Sequence, residues 1–205
     1  MTSLIFVRHG ETDWNLAGRI QGSSDIPLND TGRRQAREAA VDLRGQLDGS
    51  VAIVASDLAR ARETAQIIAA ELALNPPRLY RRLRERAYGA GEGKTVAEAA
   101  DLWGPWGTAQ VPGAETHDQL RRRALAAVHR VVRDVRRATA PAAASVIVVA
   151  HGGLIRELVR HVSGGDLPVP GTSLPNGGGY TMLYEREGLR LVDTARSVSF
   201  APTPR

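Results

Sequence analysis

Residues 4–12 read Leu4-Ile5-Phe6-Val7-Arg8-His9-Gly10-Glu11-Thr12, an apolar run of strand type that stops on an arginine, a histidine and a glycine. A short, continuously apolar run is what a strand covered on both faces shows. At the carboxyl end of such a strand a side chain meets the crevice where open α/β sheets bind their ligands. The same grammar returns in Ser145-Val146-Ile147-Val148-Val149-Ala150-His151-Gly152-Gly153. His9 and His151 can converge only if the two strands are near neighbours.

Working outward, a third strand-like run at 51–55 and helical stretches between the strands predict an α/β domain with a largely parallel sheet. Over about 31–47, Ala36, Ala40, Leu43 and Leu47 recur at helical spacing behind the capping candidates Asn29, Asp30 and Thr31. Over about 57–72, Leu58, Ala61, Ala65, Ile68 and Leu72 do the same, with Ser56 as the expected N-cap. A long helix is expected over about 115–138, another from Gly153 to about Val162, and a hairpin near 179–185 and 189–194 turning around Glu187-Gly188. Three connections, about 8–30, 81–94 and 163–178, are long enough to be functional or mobile. Pro168, Pro170, Pro175 and Gly177-Gly178-Gly179 favour mobility for the last.

At 205 residues and 42% hydrophobic content the chain suits one folded domain, and disordered or fibrous classes drop out. No apolar run approaches the roughly 20 residues that span a bilayer, so neither membrane insertion nor a signal peptide is expected and the cytoplasm is the expected location. The absence of cysteine removes disulfides, thiolate catalysis and Cys-ligated zinc. A net charge of +5 invites a nucleic-acid reading. Its distribution argues against it: all 27 basic residues but Lys94 are arginine, and the aromatic platforms that stack single strands are missing. Arg81-Arg82 and Arg121-Arg122-Arg123 are read as solvated faces.

The chemistry lies elsewhere. Arg60 stands in the first turn of a helix that follows a strand, where free N–H groups already favour anions. Two arginines and two histidines around one point make an electropositive pocket with planar, bidentate donors, suited to a phosphoryl group. A neutral imidazole attacks phosphorus well, and Arg8 and Arg60 nearby would keep His9 unprotonated. The leaving oxygen then needs a proton. Glu85 offers one, with Glu11, Glu92 and Asp57 as competitors that periodicity does not separate. His117, His129 and His161 lie on helical stretches without a partner at metal-ligand spacing and are read as surface or packing residues.

Taken together, Arg8-His9-Gly10-Glu11-Thr12 with Trp14-Asn15, Arg60 after Ser56-Asp57-Leu58, Leu83-Arg84-Glu85 and His151-Gly152 resemble the ordered signature of the histidine phosphatase superfamily, in its phosphoglycerate mutase-like branch. The match runs from residue 3 to about 160. The resemblance implies a three-layer α/β/α fold over residues 1–205 as one domain, with a short helical lid at about 94–113. It implies that His9 becomes a phosphohistidine, that Arg8, Arg60 and His151 hold the transferring group, and that Glu85 is proton donor and then base for water. Asn15, Gln21 and Gly22 match positions lining the family's substrate pocket, and Gly152 belongs to the His-Gly motif there. The family reaction needs no metal and no cofactor, the arginines supplying the charge that magnesium supplies elsewhere.

The fate of the phosphoryl group turns on water access. Mutases of the family carry a longer insertion after the Glu loop and an ordered C-terminal tail, whereas here about 20 residues separate Glu92-Gly93 from Pro112-Gly113 and the tail after Arg196 is short. That favours a phosphatase of small soluble phosphate monoesters. Arg86 and Tyr88 resemble mutase residues that face a substrate carboxylate, although Ala87 stands where mutases have histidine. They point to an acidic ester and keep phosphoglycerate mutase as the alternative, with a non-catalytic phosphate- or nucleic-acid-binding module behind it. Trp103 and Trp106 would anchor the lid or wall the pocket. The expected partner is a small-molecule phosphate ester; a homodimer is compatible with the sequence.

Overall fold

A computed structural model describes residues 1–105, 108–142, 144–169, 172–186 and 188–192. Strands β1 (Thr2–Arg8), β2 (Ser50–Ala55), β3 (Arg78–Leu79), β4 (Ala144–Ala150), β5 (Gly179–Glu185) and β6 (Gly188–Leu191) form one sheet in the order β3-β2-β4-β1-β5-β6. The first four in that order run parallel, and β5 and β6 are added antiparallel. The late hairpin thus lies at the sheet edge as expected. Glu187 and residues 193–205, Trp106 and Pro170 lie outside the described residues.

The apolar runs are covered on both faces. Leu4, Phe6, Val146 and Val148 pack toward Leu120, Val128, Val131, Leu154 and Leu158 of helices α5 (His117–Thr139) and α6 (Gly152–Val162). Ile5, Val7, Ile147 and Val149 pack toward Ala39, Ala40, Leu43, Ala61, Ala65 and Ile68 of α2 (Asp30–Leu43) and α3 (Ala59–Glu71). The alternation along a strand sends successive residues to opposite layers, which is why four apolar residues in a row are needed. The result is the three-layer α/β/α arrangement.

β1 is followed by a connection toward β2, and β4 by one that passes over β1 to β5, so the chain leaves these neighbouring strands in opposite directions. Their carboxyl ends therefore bound a crevice at a topological switch point. Their register pairs Arg8 with Ala150, so the residues that follow, His9 and His151, lie side by side.

Two local expectations differ from the structure. The N-cap of α3 is Leu58, without a side-chain cap; Ser56 Oγ instead accepts from the Leu58 amide, and the Ala59 amide donates to Asp25 Oδ1 at 2.6 Å. The helix is capped by a carboxylate from a distant loop, which no local spacing signals. The helix expected through Leu47 ends at Leu43 and tightens into a 3-10 turn over Arg44–Gln46. The short strand β3 was not anticipated; two exposed residues carry no periodic signal.

The 94–113 segment holds α4 (Val96–Trp103), opened by a Thr95–Glu98 capping box. It is tied to the first long loop, where Arg19 pairs with Thr95 in an isolated bridge and donates to the Gly93 carbonyl at 2.6 Å. That loop holds the single turn α1 (Asp13–Leu16), closed by a Thr12–Asn15 capping box.

Candidate active site

The parity of the strands carries past their ends. His9 and His151 continue the set of Ile5, Val7, Ile147 and Val149, and Arg60 rises from α3 in the same layer. The two imidazole centroids are 5.1 Å apart, and Arg60 Nε donates to His9 Nε2 at 3.3 Å. His9 is 3% exposed, and Arg60 and His151 are fully buried. Arg8, of opposite parity, donates to the Leu174 carbonyl and lies against Gly152.

A buried arginine must be held by acceptors. Arg60 donates Nη1 to the Ser24 carbonyl at 2.7 Å and Nη2 to the Gly22 carbonyl at 2.8 Å, leaving Nε for His9. Burial pushes its guanidinium down to about 10, the charges of Glu85, Asp25 and Glu92 opposing that shift.

His9 Nδ1 lies 2.6 Å from the Gly10 carbonyl. A carbonyl only accepts, so Nδ1 carries the proton and Nε2 presents its lone pair. Burial above all, then the charges of Arg60 and Arg8, hold His9 well below the ordinary histidine range. His151 is lowered for the same first reason, with Arg60, His9 and Arg8 adding to it. Around this point Arg8 Nε, Gln21 Oε1 and both ring nitrogens of His151 are buried without a hydrogen-bond partner among the described residues. So many unpaired buried polar atoms in one place suit a polar ligand.

The surrounding cavity, of about 440 Å³, is lined by Arg8, His9, Arg60 and Glu85, and further by Asn15, Gln21, Gly22, Arg86, Tyr88 and Gly152. That volume accommodates a small molecule. Glu85 enters at the amino end of α6: Oε2 accepts from the Gly153 amide at 2.9 Å, and Oε1 from the Leu154 and Arg86 amides at 3.0 and 2.8 Å. Three amides fix the carboxylate's orientation, and one face stays open to the cavity.

The family description "Histidine phosphatase superfamily (branch 1)" matches residues 4–196. The chain belongs to the histidine phosphatase superfamily. It is 37% identical to the "Uncharacterized phosphatase PhoE" of Bacillus subtilis over 94% of both chains. It is 33% identical to the "Metal-independent phosphoserine phosphatase" of Arabidopsis thaliana over 80% of this chain and 69% of that one. Its fold matches a phosphoglycerate mutase of Bacillus anthracis with a TM-score of 0.81 at 21% identity, covering 97% and 94% of the two chains. Superfamily and relatives point to a phosphatase or mutase enzyme.

Within this superfamily member the competing carboxylates separate. Asp57 accepts both Nε and Nη2 of Arg84 at 2.7 Å, and those hydrogen bonds hold it below the usual carboxylate range. Glu92 is partly buried, which would raise it, but the amides and hydroxyls of Ser23 and Ser24 and the Tyr88 amide outweigh this and hold it down. Both act as staples between loops. Glu11 accepts from Asn29 Nδ2 at 3.0 Å and does not line the cavity. Of the four, Glu85 alone faces it.

Several residues were placed wrongly or missed on sequence grounds. Arg123, read as part of a solvated face, donates to the carbonyls of Arg82, Arg84 and Glu85 and pairs with Glu115 at 2.7 Å, so it fastens the Glu85 loop to α5. The 163–178 loop, read as mobile, closes on the site at its far end: Asn176 Nδ2 donates to the His9 carbonyl at 2.9 Å, and Gly177 and Gly178 exchange backbone hydrogen bonds with Arg8. His117, read as a surface or packing residue, is half exposed as expected and also lines the cavity, together with Arg19, Arg156, Glu157 and Arg160, which were missed. The four-residue spacing of Gly152, Arg156 and Arg160 was the signal that could have found two of them.

Proposed function

We propose that this superfamily member is a metal-independent phosphatase that hydrolyses small soluble phosphate monoesters through a phosphohistidine on His9. The observation that carries the reading is the setting of His9: buried on the cavity wall beside Arg60 and Arg8, which holds it below the ordinary histidine range, with Nδ1–H committed to the Gly10 carbonyl so that Nε2, beside Arg60 Nε, carries the lone pair. Nε2 attacks phosphorus as the ester oxygen departs opposite it. Arg8, Arg60 and neutral His151 donate to the equatorial oxygens, the two arginines supplying fixed positive charge where charge spreads in the transition state. Glu85 gives its proton to the leaving oxygen. It then takes one from the water that cleaves the phosphorus–nitrogen bond, restoring neutral His9.

Hydrolysis is favoured over mutase action by the cavity's cover. Among the described residues of the 94–113 segment, only Val96 reaches the cavity lining, which leaves water a route to the phosphoenzyme. The relative matched at 37% identity over 94% of both chains is named a phosphatase, whereas those named for phosphoglycerate mutase, at 34–37%, match over 74–80% of this chain, which supports the same direction.

His9→Ala is expected to abolish p-nitrophenyl phosphate turnover, by about 10⁴-fold or more, and to abolish acid-labile phosphate labelling while the circular dichroism spectrum is unchanged. Wild-type turnover in that variant would sink the phosphohistidine route. Undiminished wild-type turnover with a chelator present checks metal independence. Incubation with 3-phosphoglycerate and a bisphosphoglycerate primer should yield free phosphate faster than 2-phosphoglycerate.

A further inference from the structure

Gly152, Arg156 and Arg160 stand four residues apart on α6, and all three line the cavity. Such residues share one face of a helix, about 6 Å apart along its axis. Gly152 opens the helix against the Arg8 guanidinium, so Arg156 and Arg160 lie one and two turns outward from the proposed phosphoryl position. Arg86 joins them from the Glu85 loop, with Nε donating to the Glu115 carbonyl at 2.7 Å and Nη1 3.2 Å from His117 Nε2.

The charges on this wall are uneven. Its one carboxylate, Glu157, is 3% exposed and already shared: it accepts from Arg160, lies 3.0 Å from His117 Nδ1 and 3.9 Å from Arg121 Nη1. Arg156 donates to the Thr172 carbonyl at 3.1 Å, and neither it nor Arg86 meets a carboxylate among the described residues. The charge of Arg156 reaches the deep site, where it is among the causes that lower Arg8 after burial. Among the described residues that line the cavity six arginines face two glutamates, an excess of four positive charges. A phosphate monoester dianion offsets two.

We propose that Arg156 and Arg160, with Arg86, form a subsite for a second anionic group on the alcohol portion of the substrate, so that the preferred esters are small phosphorylated acids. This rests on the phosphatase reading above. Planar guanidinium forks suit a carboxylate or a second phosphate, and these share the same chemistry here.

The test pairs 3-phosphoglycerate with glycerol 1-phosphate, which replaces the carboxylate by a neutral hydroxymethyl group, and adds 1,3-propanediol bisphosphate. Phosphate release gives kcat/KM for the wild type and for the R156Q/R160Q double variant. Calorimetry on the His9→Ala protein, with and without the same two substitutions, gives Kd for the unreacted esters. A wild-type preference of about tenfold or more for the doubly anionic esters is expected, lost mostly through KM in the double variant. A stronger preference for 3-phosphoglycerate over the bisphosphate assigns the subsite to carboxylates, and the reverse assigns it to phosphates. Equal losses on charged and neutral esters, or no wild-type preference, overturn the subsite. Brisk turnover without preference leaves the phosphatase reading standing and removes the subsite. Retained preference in calorimetry without turnover of any ester does the opposite.

Discussion

At the scale of single residues, the site works by assigning each polar atom one task. The Nδ1 proton of His9 is spent on the Gly10 carbonyl, and two of the three Arg60 nitrogens on loop carbonyls, so what remains points to one place. The Glu85 carboxylate is held by three amides and has no cationic side chain as a hydrogen-bond partner among the described residues, which separates it from that of Asp57. Its proposed duties separate by leaving group. In Glu85→Gln, turnover of alkyl phosphates should fall about 10²–10⁴-fold. With p-nitrophenyl phosphate the phenolate departs without a proton, so stopped-flow absorbance should show a rapid burst of p-nitrophenolate equal to the enzyme concentration, then slow turnover. A burst-free trace at the wild-type rate would remove Glu85 from the second step.

At the scale of elements, the site is a meeting of termini. The ends of β1 and β4 deliver the histidines, α3 delivers Arg60, and the first turn of α6 receives Glu85. That last junction depends on a missing side chain: a Cβ on Gly153 would lie 2.5 Å from Glu85 Oε1 and 3.1 Å from the Tyr88 hydroxyl. Gly153→Ala should therefore displace the carboxylate and leave the helix, where alanine is favoured, intact. A displacement on the order of 1 Å lowers kcat for alkyl phosphates by up to about 10²-fold. Steady-state kinetics beside an unchanged thermal midpoint would show it; unchanged kcat would mean the acid tolerates the shift. The close approach of Gly10 to Gly32, whose carbonyl oxygen would lie 2.3 Å from a Cβ on Gly10, fixes the entry of α2 in the same way.

At the scale of the molecule, burying two neutral histidines side by side couples function to stability. Both have their folded-state pKa lowered below the ordinary 6.5, by burial first. Above about 6.5 neither the folded nor the unfolded chain protonates them. As pH falls below that value the unfolded chain takes up protons that the folded chain refuses, so stability is lost progressively until the pH passes below the folded pKa values. Thermal midpoints should drop between pH 7 and 5, and His151→Gln should flatten the drop; equal slopes would place the proton uptake elsewhere. No helix among the described residues is long and apolar enough to cross a membrane.

The division between chain and fold follows the range of the forces. The apolar runs at β1 and β4, the helical periodicity of α2, α3, α5 and α6, and the Arg8-His9-Gly10 and His151-Gly152 strand ends are local patterns, set by which side chains leave water at period 2 or 3.6. They were legible, and so were the residues that the cavity gathers at its floor. Asp25 capping α3, Arg123 fastening the Glu85 loop, Asn176 holding the His9 carbonyl and the choice of Glu85 over Asp57 and Glu92 were not. Each depends on a hydrogen bond between residues tens of positions apart, and buried polar groups find partners by proximity in space, which no spacing along the chain encodes. By itself the sequence determined the fold class and the kind of chemistry at its strand ends. Only the packed structure decided which carboxylate faces that chemistry and which arginines line the way to it.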